Sequence, residues 1–80
     1  MNKKFNYNNC KVGDRVCFKS DEEKEDFKVK SGYKLDGVVY GVITFIEDTD
    51  VVGVSWINHK GIVIDENVGV YYSRLKFYNE

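Results

Sequence analysis

The feature that most constrains the fold is a pair of apolar stretches separated by a short acidic segment. Residues 37–47 read Gly-Val-Val-Tyr-Gly-Val-Ile-Thr-Phe-Ile-Glu, and residues 51–57 read Val-Val-Gly-Val-Ser-Trp-Ile. In the second stretch large apolar side chains recur at every second position, which places them on one face of a β-strand. The polar residues between the stretches favour a tight turn. We therefore predict a hairpin, with a core face formed by Val52, Val54 and Trp56.

Composition favours strands over helices along the rest of the chain. The 80 residues contain no Ala, no Pro and only two Leu, Leu35 and Leu75, whereas Val, Ile, Tyr and Phe are abundant. Branched and aromatic side chains suit a pleated, half-buried surface, and the lack of Ala and Leu argues against a helical bundle. A chain of this length forms one domain with a modest core. We assign that domain to residues 11–80.

Further strands are predicted on both sides of the hairpin. Residues 15–19 follow a Val-Gly-Asp turn and alternate, with Val16 and Phe18 pointing to one side. The turn at residues 58–61 ends in a Gly suited to a positive φ. The remaining predicted elements are a strand at residues 62–64, a turn at 65–69, an extended segment at 70–72, a 3-10 turn at 73–75 and a closing strand at 76–78.

Two segments have weaker patterns. Residues 20–36 are highly charged and are predicted to form a long, solvated first loop. The Ser20–Glu23 pair fits a helix N-cap, so one short helical turn is the alternative. Residues 1–10, rich in Asn and Lys, are predicted to be a flexible N-terminal tail or an edge strand.

The order of these patterns resembles the SH3-like small barrels of the KOW and Tudor-like group. The matching residues are Val-Gly-Asp-Arg-Val at 12–16, the Gly-Val-Ile-Thr-Phe-Ile run at 41–46, Val-Gly-Val-Ser-Trp at 52–56, and a late Leu75. The resemblance covers residues 12–78. It implies an all-β, SH3-like barrel of five or six antiparallel strands with a long first loop, but it specifies function only weakly, because such folds host unrelated activities.

Two further resemblances are looser. Residues 37–56 are similar to the CAP-Gly domain, which binds acidic C-terminal tails, but the loop that defines tail binding is absent. Residues 58–61 (Asn-His-Lys-Gly) are a poor substitute for it. The Asn- and Lys-rich composition is similar to that of small accessory proteins of AT-rich bacteriophages or their bacterial hosts.

Nothing in the sequence points to catalysis, a cofactor or a metal. The single His, His59, lies in a predicted turn, and a pairing with Cys17 would need a third orienting group that the spacing does not suggest. Two Cys and one His are too few for a four-ligand zinc site. The acidic pairs lie in turns, where they favour turn geometry. We therefore expect a protein that is not an enzyme, with no cofactor and no metal.

Binding of a protein partner, or of a second copy of the chain, is the function we expect. The twelve aromatic residues exceed what a core of this size requires, and Tyr is common at interfaces. The Tudor-like resemblance implies an aromatic cage for methylated lysine or arginine, built here from Tyr40, Trp56 and Tyr72; the alternative is a core Trp with two barrel-wall Tyr. Val38 belongs to an apolar segment, residues 38–40, that would accept a partner strand if it were an exposed edge.

The alternative is a KOW-like domain that binds RNA or DNA. Residues 71–78 mix aromatic and basic side chains, as stacking on bases and contact with phosphates require. The residues assigned to this surface are Lys60, Tyr71, Arg74 and Lys76. We rank nucleic-acid binding second because the net charge is −1, and phosphate binding draws its affinity largely from basic side chains.

We expect a cytoplasmic protein. No apolar run near the N-terminus is long enough for a signal peptide, and no segment is long and apolar enough to span a membrane. Cys10 and Cys17 are then expected to be reduced thiols, because the cytosol disfavours disulfides.

Overall fold

The computed structural model describes residues 5–78, in which one antiparallel β-sheet dominates. The elements are β1 (Arg15–Phe18), α1 (Asp21–Ser31), β2 (Val38–Ile46), β3 (Val51–Asn58), β4 (Val63–Tyr71) and β5 (Leu75–Phe77), with 3-10 turns at Tyr7–Asn9 and Tyr72–Arg74. The strand order is β4-β3-β2-β1-β5. The prediction of a small, mainly β domain is confirmed, with five strands. No strand pair within residues 5–78 joins β4 to β5, so the sheet is open.

Side chains in the turns hold the β2-β3-β4 meander together. Asp48 Oδ1 accepts hydrogen bonds from the backbone N–H groups of Asp50 and Val51, at 2.7 and 2.8 Å, between β2 and β3. Asn58 Oδ1 accepts from the N–H groups of Lys60 and Ile62, between β3 and β4. Both hairpins lie where the sequence predicts them. Such Asx turns satisfy backbone donors that would otherwise lack partners.

The segment after the second hairpin differs from the prediction. Residues 62–64 were expected to be a strand and residues 65–69 a turn, but the chain continues as a single strand, β4, to Tyr71. The turn signals of this segment produce only a local irregularity. Asn67 adopts a left-handed φ of 53°, and the β3–β4 register shifts just before it.

Strand β1 lies against β5 along its length but is paired with β2 only at its start. It pairs with β2 through Arg15 and Val16, and with β5 through residues 16–18. The registered pairing of β1 with β2 therefore stops at Val16, opposite Gly41. Beyond that point β1 and β2 diverge, which leaves an opening in the sheet.

The long charged loop predicted for residues 20–36 is wrong for most of its length, because residues 21–31 form α1. Ser20 Oγ caps the helix by accepting from the N–H of Glu23, as the alternative interpretation required. Gly32, with a φ of 84°, ends the helix in the left-handed conformation that favours glycine. Short helices are marginal in isolation, so α1 depends on contacts with the rest of the protein for its stability.

Those contacts come from Phe27 and Arg74. Phe27 is buried against Phe18, at a ring-centroid distance of 5.5 Å, and burying such a side chain contributes about 2 kcal/mol. Arg74 Nη1 lies 3.1 Å from Glu23 Oε1 and 2.9 Å from Asp26 Oδ2. The helix is therefore attached to the end of the sheet by one apolar side chain and one pair of ionic contacts.

The core is centred on Trp56, which has no exposed surface and stacks on Phe18 at 4.8 Å with an 8° angle between the rings. The core face predicted from alternation in β3 is confirmed. Gly41 on β2 lies directly against this face, where a Cβ would collide with Val54 and Trp56. The other fully buried large side chains are Val16, Leu35, Ile43, Val68, Val70 and Leu75.

The N-terminal segment, predicted as a tail or an edge strand, packs on the core in its described part. Phe5 is buried, and its ring lies 5.5 Å from that of Tyr72 and 5.0 Å from that of Phe77. Residues 6–10 form a capped 3-10 turn. The rest of that prediction, residues 1–4, lies outside the described residues, as do residues 79 and 80 of the predicted domain.

Candidate functional site

The predicted aromatic cage is wrong. Trp56 is fully buried, and Tyr72 is buried in a separate cluster with Phe5 and Tyr7. Tyr40 is half-buried and stacks on Tyr78 at 5.1 Å. A cage needs rings that converge on a solvent-accessible cation, and these three rings lie in different environments. The alternative for Trp56, a core residue, is confirmed.

The four residues predicted for nucleic acid are not all brought together: Tyr71 and Arg74 border one groove, and Lys76 borders a different cavity. Lys60 lies in the turn that precedes β4, whereas Tyr71 lies at the far end of that nine-residue strand. Arg74 is bound to Glu23 and Asp26 on α1, so its guanidinium is engaged within the protein.

A cavity of about 350 Å³ occupies the opening where β1 and β2 diverge. Cys17 and Phe18 line it from β1, and Val38 and Val39 line it from β2, while Trp56 contributes from beneath the sheet surface. We call this cavity the strand gap. Strand β2 is an inner strand of the sheet, so the predicted edge at residues 38–40 is not a sheet edge, and its open side belongs to this cavity.

The remaining lining of the strand gap is mostly cationic. Lys19, Lys24 and Lys76 border it, together with Ser20 and a single carboxylate, Asp21. The structure thus brings together Val38, Trp56 and Lys76 from the predicted sets. The sequence does not reveal Lys19 and Lys24 as site residues, because a charged loop does not fix the direction of its side chains. Only the formation of α1 brings Lys24 to this opening.

The thiol of Cys17 is neutral in this setting. Burial raises the pKa of Cys17, and the nearby charge of Lys76 opposes that shift only in part. Reactive cysteines are those with a lowered pKa, so Cys17 is here a polarisable wall of the cavity. Cys10 is also a free thiol, and burial raises its pKa as well.

A second unusual surface lies at the start of β4, an edge strand of the sheet. The exposed fractions of Ile62, Val63 and Ile64 are 56%, 42% and 37%. Consecutive residues of a strand point to opposite faces, so apolar surface is exposed on both faces at once. We call residues 62–66, which end in Asp65 and Glu66, the β4 edge. The sequence signal is a run of three branched residues without the polar alternation of a half-buried strand.

Tyr71 lies in a third concavity, of about 270 Å³, between the C-terminal half of α1 and the end of β4. Phe27, Val51 and Gly69 give it mostly apolar walls. Lys30 and Arg74 border it, but both are paired with Asp26. The cations of this groove are therefore neutralised within the protein, in contrast to those of the strand gap.

His59 lies exposed in the β3–β4 turn, as predicted. Among residues 5–78, no cluster of three or more His, Cys, Asp or Glu side chains is arranged to hold a metal ion. The described part of the chain also has no helix of the length and apolarity that a membrane span needs.

Comparison with known proteins yields no relatives. No protein-family model matches the chain, and neither the curated proteins nor the solved structures include a match.

Proposed function

We propose that this protein is a non-catalytic binding module that engages a protein partner by adding a strand of that partner to the β4 edge. The observation that carries the proposal is the exposure of Val63 and Ile64 on an edge strand of nine residues, and of Ile62 just before it. An edge strand presents unpaired N–H and C=O groups to any extended chain, and main-chain hydrogen bonds of this kind are a common route to peptide recognition.

Two of the usual protections of an edge strand, Lys and Pro, are missing at the start of β4, and the irregularity at Asn67 lies further along the strand. Natural edge strands are shortened, or carry Lys or Pro that prevent pairing. The chain has no Pro, and residues 61–73 contain no Lys. The opposite edge, β5, has only three residues. Strand β4 is therefore the edge that favours pairing with another chain.

The charges of the β4 edge select the chemistry of the partner. Asp65 and Glu66 directly follow the apolar residues. Pairing with a second copy about Asp65 and Glu66 would bring four carboxylates together, and such juxtaposed like charges oppose association. A partner strand with apolar residues next to Lys or Arg would instead match both features. We therefore favour a different protein over self-association.

The finer fold assignment belongs to the same proposal. The strand order β4-β3-β2-β1-β5, with a 3-10 turn between β4 and β5, supports an SH3-like small barrel of the KOW and Tudor-like group. The free thiols of Cys10 and Cys17 support a cytoplasmic location.

The test is site-specific photo-crosslinking in cells that express the protein. A benzophenone amino acid at position 63 should capture a partner, and Ile64→Lys should reduce the captured product at least tenfold by placing a charge on the edge. The same photoreactive residue at position 29, where Val29 is 84% exposed on α1, and Val29→Lys are the matched controls.

Sedimentation of the purified protein distinguishes the two kinds of partner. A monomer that still crosslinks through position 63 supports a heterologous partner, and a dimer abolished by Ile64→Lys identifies a second copy instead. Crosslinking at position 63 that does not exceed crosslinking at position 29, from a protein that is monomeric in solution, refutes the proposal.

A further inference from the structure

The strand gap, which the proposed partner surface does not include, concentrates unpaired positive charge. Lys19, Lys24 and Lys76 all border it, and none of them forms an ion pair with a carboxylate within residues 5–78. Asp21 is the one acidic residue on its border. Three lysines against one aspartate leave a local charge of about +2 in a protein whose net charge is −1.

The other cations near α1 differ from these lysines, because they are paired with carboxylates. Lys28, Lys30 and Arg74 each lie within 3.2 Å of a carboxylate oxygen on α1. The helix therefore has carboxylates that reach neighbouring cations, but they are not directed at the strand gap. The beginning of α1 also borders the gap, through Ser20 and Asp21, and the positive end of the helix dipole adds to the attraction for an anion.

Trp56 carries a buried polar group next to this cavity. Its side chain is fully buried, and its Nε1–H has no hydrogen-bond acceptor among residues 5–78. A buried donor without an acceptor is destabilising, and such groups are rare in folded proteins. Trp56 also lines the strand gap, so its indole N–H signal can report on binding there.

We propose that the strand gap binds a small organic anion with an apolar body, whose carboxylate or phosphate is held by the lysines. The apolar body would lie against Phe18, Val38 and Val39, which line the same cavity. The volume of about 350 Å³ lies at the lower end of the range for small-molecule sites. It suits a ligand with a single ring and one charged group.

The experiment is an NMR titration of the intact protein, because Trp56 is the only Trp and gives one indole N–H signal. The probes are phenylacetate, phenyl phosphate and, as a neutral analogue of the same shape, phenylacetamide. We expect the two anions to shift the indole N–H signal saturably, and phenylacetamide to bind at least tenfold more weakly. The stronger of the two anions identifies the preferred head group.

Lysine variants connect the affinity to this cavity. Lys24→Gln and Lys76→Gln should each weaken phenylacetate binding about threefold, as expected for one partly exposed ionic contact, and the double variant should weaken it about tenfold. Lys34→Gln and Lys60→Gln remove exposed lysines outside the cavity and should leave the affinity unchanged. All four positions are outside the core, so the variants should fold.

Thiol alkylation gives a second readout that does not depend on the indole signal. Cys17 lines the strand gap and Cys10 does not. At an alkaline pH that offsets the raised pKa of the Cys17 thiol, saturating phenylacetate should slow the reaction of Cys17 with iodoacetamide and leave Cys10 unaffected. Equal binding of the amide and the acid, equal effects of cavity and control lysines, or no protection of Cys17 would each overturn the proposal.

Discussion

Replacement of Gly41 by Ala tests how closely the sheet packs on Trp56. An ideal Cβ on Gly41 would overlap Val54 Cγ1 and would lie 2.9 Å from Trp56 Cε3. Unstrained carbon contacts are about 3.5–4.0 Å. Val54 and Trp56 have no exposed surface, so neither side chain can move without displacing its own neighbours in a close-packed interior.

The expected cost follows from two opposing effects. Overpacking of a core costs about 1–3 kcal/mol, and the upper value applies because both neighbours are immobile. Ala is favoured over Gly by about 0.5–1 kcal/mol in an extended strand, because Gly loses more backbone freedom on folding. We therefore expect Gly41→Ala to lower the free energy of unfolding by about 2 kcal/mol. For a domain of this size, that loss lowers Tm by about 8–16 °C.

Two other strand glycines serve as matched controls. A Cβ on Gly53 would collide with the ring of Phe45, but Phe45 is 38% exposed and its ring can turn outward. We expect Gly53→Ala to cost less than about 1 kcal/mol. A Cβ on Gly69 would come no closer than 3.4 Å to its nearest neighbour, Val51 Cγ1, so Gly69→Ala should be neutral or slightly stabilising.

The assay is urea unfolding followed by the fluorescence of Trp56, the single Trp of the chain. The reasoning predicts a rank order in stability of Gly69→Ala, then Gly53→Ala, then Gly41→Ala. A Gly41→Ala variant as stable as Gly69→Ala, within 0.5 kcal/mol or so, would show that this part of the sheet yields to an added methyl group. The packing around Trp56 described above would then be incorrect.

The attachment of α1 gives two further predictions. Arg74→Gln should raise the hydrogen-exchange rates of α1 amides about fivefold, as expected for the loss of a partly exposed ionic contact. The amides of β3 should keep their rates. Uniform acceleration of exchange, or no acceleration, would contradict the role of Arg74 in attaching α1. Hydrogen bonds from Arg74, and then from Lys30, lower the pKa of Asp26 below its ordinary value of 3.8. The stability that ionised Asp26 contributes is therefore present above pH 3.8 and is lost as the pH falls through the lowered pKa of Asp26. Asp26→Asn should flatten the pH dependence of the urea midpoint in that range, and an unchanged dependence would exclude Asp26 as its source.

The sequence predicts the β-meander because its signals are local. Alternation in residues 51–57 identifies the buried face of β3, and Asp48 and Asn58 supply turn chemistry within four residues of the groups they bind. Both patterns depend only on neighbouring residues, so a single sequence is enough to locate them.

The helix and the site depend on contacts between distant parts of the chain. Arg74 meets Glu23 across 51 positions, so the attachment that stabilises α1 is invisible in residues 20–36 alone. The cage prediction failed for the same reason, because whether Tyr72 faces solvent depends on Phe5 from the other end of the chain. The cavity lysines come from β1, α1 and β5 or from residues next to them, and only the folded structure brings them together.

The contact between Phe5 and Phe77, at a ring-centroid distance of 5.0 Å, has a consequence for handling and engineering the protein. The contact joins the N-terminal segment to β5, so the two elements stabilise each other. Trimming of the N-terminal segment through Phe5 would carry a penalty, because it would expose the rings of Tyr72 and Phe77 to water.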